Sequence, residues 1–158
     1  MKELSESEAL NKAAAYCTLC ERCTLEVCNK LDNWGVQQSV QQHIVERLKN
    51  EGFINENRYC RAFVNDKLRF NHWGKIKITA ALREKRVPNE YITEALAQID
   101  EDEYLAVLSS VIANKQKELK GATDYATQQK IVRHAASRGF EPSLIIKIVK
   151  YAHEEMDF

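Results

Sequence analysis

The 158-residue chain predicts an all-α fold, and three observations carry that prediction. Only two prolines and five glycines occur in it, so long stretches run without the residues that interrupt helices. Ala, Leu, Glu, Lys, Gln and Arg dominate, and no run alternates apolar and polar residues with the period of a strand. Apolar residues recur instead at spacings of three and four, which aligns them on one face of a helix.

Taken in order, the punctuation predicts eight or nine short helices without a long linker. The first runs from about Ser5 to Cys20, with Ser5 or Ser7 as N-cap and Glu8 in the first turn. A second begins near Cys23 or Thr24 and stops before Trp34-Gly35, glycine being the residue that best tolerates the left-handed backbone past a helix end. A third carries Val36, Val40, Ile44, Val45 and Leu48 and stops at Asn50-Glu51-Gly52. Asn55 then caps a helix whose core spacing takes in Tyr59, Ala62, Phe63 and Phe70, ending at Asn71-His72-Trp73-Gly74. Ile76, Ile78, Ala81 and Leu82 mark the fifth. Pro88 suits the first position of a sixth, which buries Tyr91, Ile92, Ala95, Leu96 and Ile99. Segments from about Asp102 to Lys117 and from Thr123 to Ser137 follow. Glu141-Pro142 opens the last, striped with Leu144, Ile145, Ile148, Val149 and Ala152.

Self-similarity groups these helices. Val36, Val87 and Phe140 each stand just before a helix, 51 and 53 residues apart. Four residues on stand Val40, Tyr91 and Leu144; nine on, Val45, Leu96 and Val149; twelve on, Leu48, Ile99 and Ala152. Five before the anchor stand Leu31, Leu82 and Ala135; one before it, Gly35, Arg86 and Gly139. The period predicts three tandem three-helix repeats, 1–51, 52–100 and 101–158. Units this small cannot bury enough apolar surface alone, so they should stack into an elongated, slightly curved body suited to lying along another macromolecule.

A formal net charge of zero hides a strong asymmetry. Residues 1–56 carry 6 basic and 9 acidic groups, residues 57–89 carry 9 and 2, and residues 90–158 carry 8 and 12. The middle of the chain should therefore attract an anionic partner. The acidic, polar start does not read as a secretory signal, and apolar runs such as Leu144-Ile145-Ile146 fall far short of a membrane span. Five cysteines, an odd count, four of them between Cys17 and Cys28, suit a reducing cytoplasm better than a disulfide framework. No phosphate loop, nucleophile elbow or bracketed carboxylate pair is present, so no catalytic residue is a candidate and no cofactor is implied.

Several short motifs, in their order and spacing, resemble the RecX family of recombinase modulators. They are Gly52-Phe53-Ile54-Asn55, Arg58-Tyr59-Cys60, Gly74-Lys75-Ile76 followed by Leu82, and Arg138-Gly139-Phe140. Cys23-Thr24-Leu25-Glu26-Val27 through Leu31 occupies the corresponding place in the first repeat. Two departures stand out: Lys85-Arg86-Val87 where the family often has Lys-Gly before the second anchor, and Cys60 where it has Ala. The resemblance, over roughly residues 7–152, implies a monomeric cytoplasmic regulator of DNA repair. Such a protein would bind the RecA nucleoprotein filament along its groove and lower its recombination, ATP turnover and co-protease activity in the SOS response.

Two constellations compete for function. Basic residues interleaved with aromatics are what phosphate neutralisation and base stacking require. In the basic centre of Arg58, Arg61, Lys67, Arg69, Lys75, Lys77, Arg83, Lys85 and Arg86, Tyr59, Phe63 and Phe70 fall at core spacing and Arg58 has Glu56 or Glu51 at hand for an ion pair; from the rest, Lys67, Arg69, Trp73, Lys75, Lys77, Lys85 and Arg86 form the candidate partner-binding set. The same set is open to direct binding of single- or double-stranded DNA. Reversing Lys75, Lys77, Lys85 and Arg86 to Glu is expected to spare the fold if these are exposed charges, each contributing about 1 kcal/mol or less. The thiols of Cys17, Cys20, Cys23 and Cys28 have the number and type for zinc or an iron–sulfur cluster, as a metal or redox sensor would need. However, Cys17 and Cys20 end one helix, Cys23 stands at an N-cap and Cys28 lies inside the next, places where cysteine serves as a small hydrophobe. No metal is expected. His43, His72, His134 and His153 are scattered. Asp100-Glu101-Asp102-Glu103 reads as helix capping.

Overall fold

A computed structural model of the chain describes residues 3–156, with side chains described through residue 150. Ala152 and His153 therefore lie outside the described side chains. The described residues form nine helices and no strand. These are α1 (Glu6–Leu19), α2 (Thr24–Asn33), α3 (Gln38–Asn50), α4 (Glu56–Arg69), α5 (Lys75–Glu84), α6 (Asn89–Ala97), α7 (Glu101–Glu118), α8 (Tyr125–Ser137) and α9 (Pro142–Met156). Among the described residues no helix is long and apolar enough to cross a membrane.

The repeat is visible in the backbone. Before α3, α6 and α9 the chain closes the same turn: the anchor N–H of Val36, Val87 or Phe140 bonds back to the carbonyl of Leu31, Leu82 or Ala135, at 3.0, 3.2 and 3.4 Å. The preceding residue, Gly35, Arg86 or Gly139, takes φ of 76°, 59° and 95° and bonds to Asp32, Arg83 or Ala136, in each case at 2.9 Å. This pair of bonds satisfies carbonyls that a helix C-terminus otherwise leaves open. Leu31, Leu82 and Ala135 are all fully buried. The fold is thus three tandem three-helix repeats, for which we propose the boundaries 1–51, 52–100 and 101–158.

Packing follows a different division. One compact unit comprises residues 1–63 and 82–95, the other residues 64–81 and 96–158, so α4 and α5 each contribute to both. In the first unit Ser5 caps α1 by accepting from Glu8 N–H at 3.1 Å, and Ala9, Ala13 and Cys17, one turn apart, form its buried face. That face joins Val27, Leu31, Ile44, Val45, Leu48 and Ile54 in one core. Gln41 is buried but satisfied, donating to Asp32 at 2.5 Å and to the Val36 carbonyl at 2.8 Å. In the second unit Asp100 accepts from Asp102 and Glu103 N–H to cap α7, and α7, α8 and α9 pack on one another. Buried residues of this unit include Tyr104, Leu108, Ile112, Ile131, Phe140 and Ile145. The Tyr104 and Phe140 rings lie 5.4 Å apart.

Three expectations are corrected. Phe70 is 78% exposed, because the buried stripe of α4 is Tyr59, Cys60, Val64 and Leu68 and Phe70 stands just past the helix end. Ile76 is 52% exposed, since Ile78 and Leu82 point inward and a residue two places away faces nearly opposite. Arg58 is held neither by Glu56 nor by Glu51; it pairs with Glu21 and donates to the Gly52 carbonyl at 2.9 Å.

Candidate partner-binding surface

The candidate residues divide between the two units: Lys67, Arg69, Trp73, Lys75 and Lys77 belong to one, Lys85 and Arg86 to the other. In the first group, the α4–α5 turn is fastened to the α8–α9 turn by backbone. Gly74 N–H bonds to the Arg138 carbonyl at 2.8 Å, Ile76 N–H to the Gly139 carbonyl at 3.0 Å, and the Arg138 guanidinium donates to the Asn71 carbonyl. A Cβ at Gly74 would overlap the Gly139 backbone, and one at Gly139 would overlap Lys77. The two glycines are there because the chains cross too closely for a side chain.

This latch engages the cations around it. Arg69 forms a two-pronged pair with Glu103, at 2.7 and 3.4 Å, which raises its pKa above the ordinary value. Lys75 Nζ lies 2.8 Å from Glu101 and 4.6 Å from the Tyr104 ring centroid. Tyr104 accepts from Lys75 N–H at 3.1 Å and donates to Glu141, and burial first, then the Glu141 bond, pushes its phenol well above the usual range. Lys67 and Lys77 stand over Trp73 at 4.8 and 4.6 Å, within cation–π range. The acidic run 100–103 thus does more than cap α7, since Glu101 and Glu103 also neutralise Lys75 and Arg69.

In the other unit Lys85 Nζ lies 3.6 Å from Glu26. Glu26 also accepts from Cys23 N–H at 3.0 Å at the start of α2. Arg86 is exposed and left-handed. Of the four cations chosen for charge reversal, Lys75 and Lys85 therefore face carboxylates, and reversing them sets like charges together. The spacing of Glu101 and Glu103, both reaching back to the preceding repeat, carried no local signal.

The thiols take separate environments. Cys17, Cys23 and Cys60 are buried, Cys28 half-buried and Cys20 exposed. Burial pushes Cys23 and Cys60 up to about 11 and raises Cys17 and Cys28 as well. Among the described residues no group of three or more His, Cys, Asp or Glu side chains is placed to hold a metal ion. His43 lies 3.5 Å from Glu6. Burial, then Lys115 and Arg138, lowers the pKa of half-buried His134.

Comparison with known proteins decides the lineage. Residues 55–96 match the model of the RecX second three-helix domain, and residues 101–149 match that of the third. The chain belongs to the RecX family. A regulatory protein RecX of Lactobacillus johnsonii is 24% identical over 143 residues, which are 90% of this chain and 53% of that protein. The RecX of Prosthecochloris aestuarii is 27% identical over 145 residues, 92% of this chain and 93% of its own length. The chain thus spans about half of the first relative and nearly all of the second. The crystal structure of RecX from Lactobacillus salivarius, 19% identical, superposes with a TM-score of 0.83 over 92% of this chain and 95% of that one, a likeness of fold. RecX proteins are regulatory proteins built from helical repeats, and this chain has that architecture.

Proposed function

We propose that this protein is a cytoplasmic, non-enzymatic, monomeric regulator that binds the RecA nucleoprotein filament and lowers its recombinase, ATPase and co-protease activity, thereby regulating DNA repair. The observation that carries this reading is the match of both RecX three-helix domains in tandem, at residues 55–96 and 101–149. The contact set is Lys67, Arg69, Trp73, Lys75, Lys77, Lys85 and Arg86, with Arg86 the least committed internally. The test is RecA ATP turnover on single-stranded DNA with and without the protein, at low and moderate salt. Turnover should fall as the protein is added, and the effect should weaken as salt screens exposed charge. Unchanged turnover at saturating protein overturns the reading.

A second reading has its own observation. Phe70 is 78% exposed and stands three residues before Trp73, whose ring carries Lys67 and Lys77; exposed aromatics and cations of this kind suit stacking on unpaired bases. Binding of bare single-stranded DNA, abolished by Phe70→Ala while RecA inhibition persists, would assign that surface to DNA.

A further inference from the structure

The turn before α6 holds a residue that its sister turns do not. Gly35 and Gly139 take the left-handed backbone at no steric cost, whereas Arg86 takes it with a Cβ to accommodate. His72 and Lys120 also adopt positive φ, but Arg86 is the one standing where two sister turns carry glycine. Strained positions of this kind collect where a side chain serves binding.

Arg86 lines two adjoining cavities of about 600 and 580 Å³ in the first unit. Thr24 and Lys49 line both as well, so the two cavities form the arms of one groove with two cations at its waist. Each arm has a pair of carboxylates, Asp32 and Glu46 in one, Glu56 and Glu90 in the other. Amides line the arms as well, among them Gln38 and Gln42 in one and Asn57 in the other. The Asn57 Oδ1 is buried and accepts no hydrogen bond within the chain.

We propose that this groove binds an extended segment of another polypeptide, seating one Asp or Glu side chain between Lys49 and Arg86, with Lys or Arg residues on either side meeting the carboxylates of the arms. Side-chain amides offer a donor and an acceptor each, which matches the peptide groups of such a segment. Nucleic acid fits poorly, because a continuous row of phosphates would meet four carboxylates and only two cations. The inference deepens the reading above at Arg86 and rests on it only for which protein supplies the segment.

Selection of a phage-displayed random dodecapeptide library on the full-length protein tests the groove without any recombinase present. Enriched peptides should share an acidic residue flanked by basic ones. Their affinity, read by fluorescence polarisation, should fall about tenfold or more when that acid becomes Gln or when Arg86→Gly or Lys49→Gln is introduced. Arg86→Gly should melt at or above the wild-type temperature, since glycine is relaxed there, so lost binding cannot reflect lost folding. A selection without an acid-dependent consensus, equal affinity for the Arg86→Gly protein, or displacement of the peptide by an equal concentration of a short oligothymidylate overturns the proposal. Failure of the RecA turnover assay with peptide binding intact bears on the recombinase reading and not on the groove.

Discussion

The turns before α6 and α9 share a backbone and differ in everything that surrounds it. At Gly139 the left-handed conformation coincides with a crossing so close that Lys77 occupies the place of a Cβ, whereas at Arg86 the same conformation opens onto a groove and carries a long cationic side chain. Gly35 has nothing within 4 Å of an added Cβ, so it is crowded by no neighbour. Glycine thus answers two separate demands, the sign of φ and the space available. The repeat reproduces only the first.

Substitutions separate the two demands. Gly139→Ala should be the most damaging, adding overpacking against Lys77 to the left-handed penalty, for a loss of about 3 kcal/mol in denaturant unfolding. A loss no greater than that of Gly35→Ala would break the comparison. Tyr104→Phe should follow, at about 2 kcal/mol, because it strips Lys75 N–H and Glu141 of their shared hydroxyl. Gly35→Ala, where only the backbone objects, should lose about 1 kcal/mol. Arg86→Gly should move by a similar amount in the opposite direction, about 1 kcal/mol more stable, provided its guanidinium serves a partner and not the fold.

The smallest effect concerns pH. Burial pushes the Glu26 carboxyl up, but the Cys23 bonds, the charge of Lys85 and the Tyr59 bond outweigh it and leave it below its ordinary 4.5. A carboxylate whose native pKa is depressed stabilises the fold above the unfolded value and ceases to do so as pH falls through the native one. Glu26→Gln should therefore flatten the acid limb of the stability curve below about pH 4.5, leaving its shape near neutrality unchanged. An acid limb identical to wild type would show that the Cys23–Glu26–Lys85 arrangement contributes nothing to the start of α2.

Much of the fold was legible because its signals are local. Caps at Ser5 and Asp100, the stops at Gly35 and Gly52, and the apolar stripe of α3 depend on residues within a turn or two of each other. Phe70 and Ile76 were misjudged for the same reason that the others succeeded. Apolar character was read as burial, although the stripe at Val64 and Leu68, or at Ile78 and Leu82, had already used the inward face. The candidate surface was legible only as composition. Its residues could be chosen as basic, but Arg69 meets Glu103 across 34 residues and Lys75 meets Glu101 across 26.

From sequence alone, then, came the helices, their order, the threefold turn and the concentration of positive charge in residues 57–89, because helix periodicity, capping and φ preference act over a few residues. Tertiary structure decided which glycine is needed for space and which for conformation, and which cations are held by the fold and which stand open. Those outcomes depend on what distant segment arrives beside each residue: a carboxylate beside Lys75, a backbone beside Gly139, and for Arg86 an open groove.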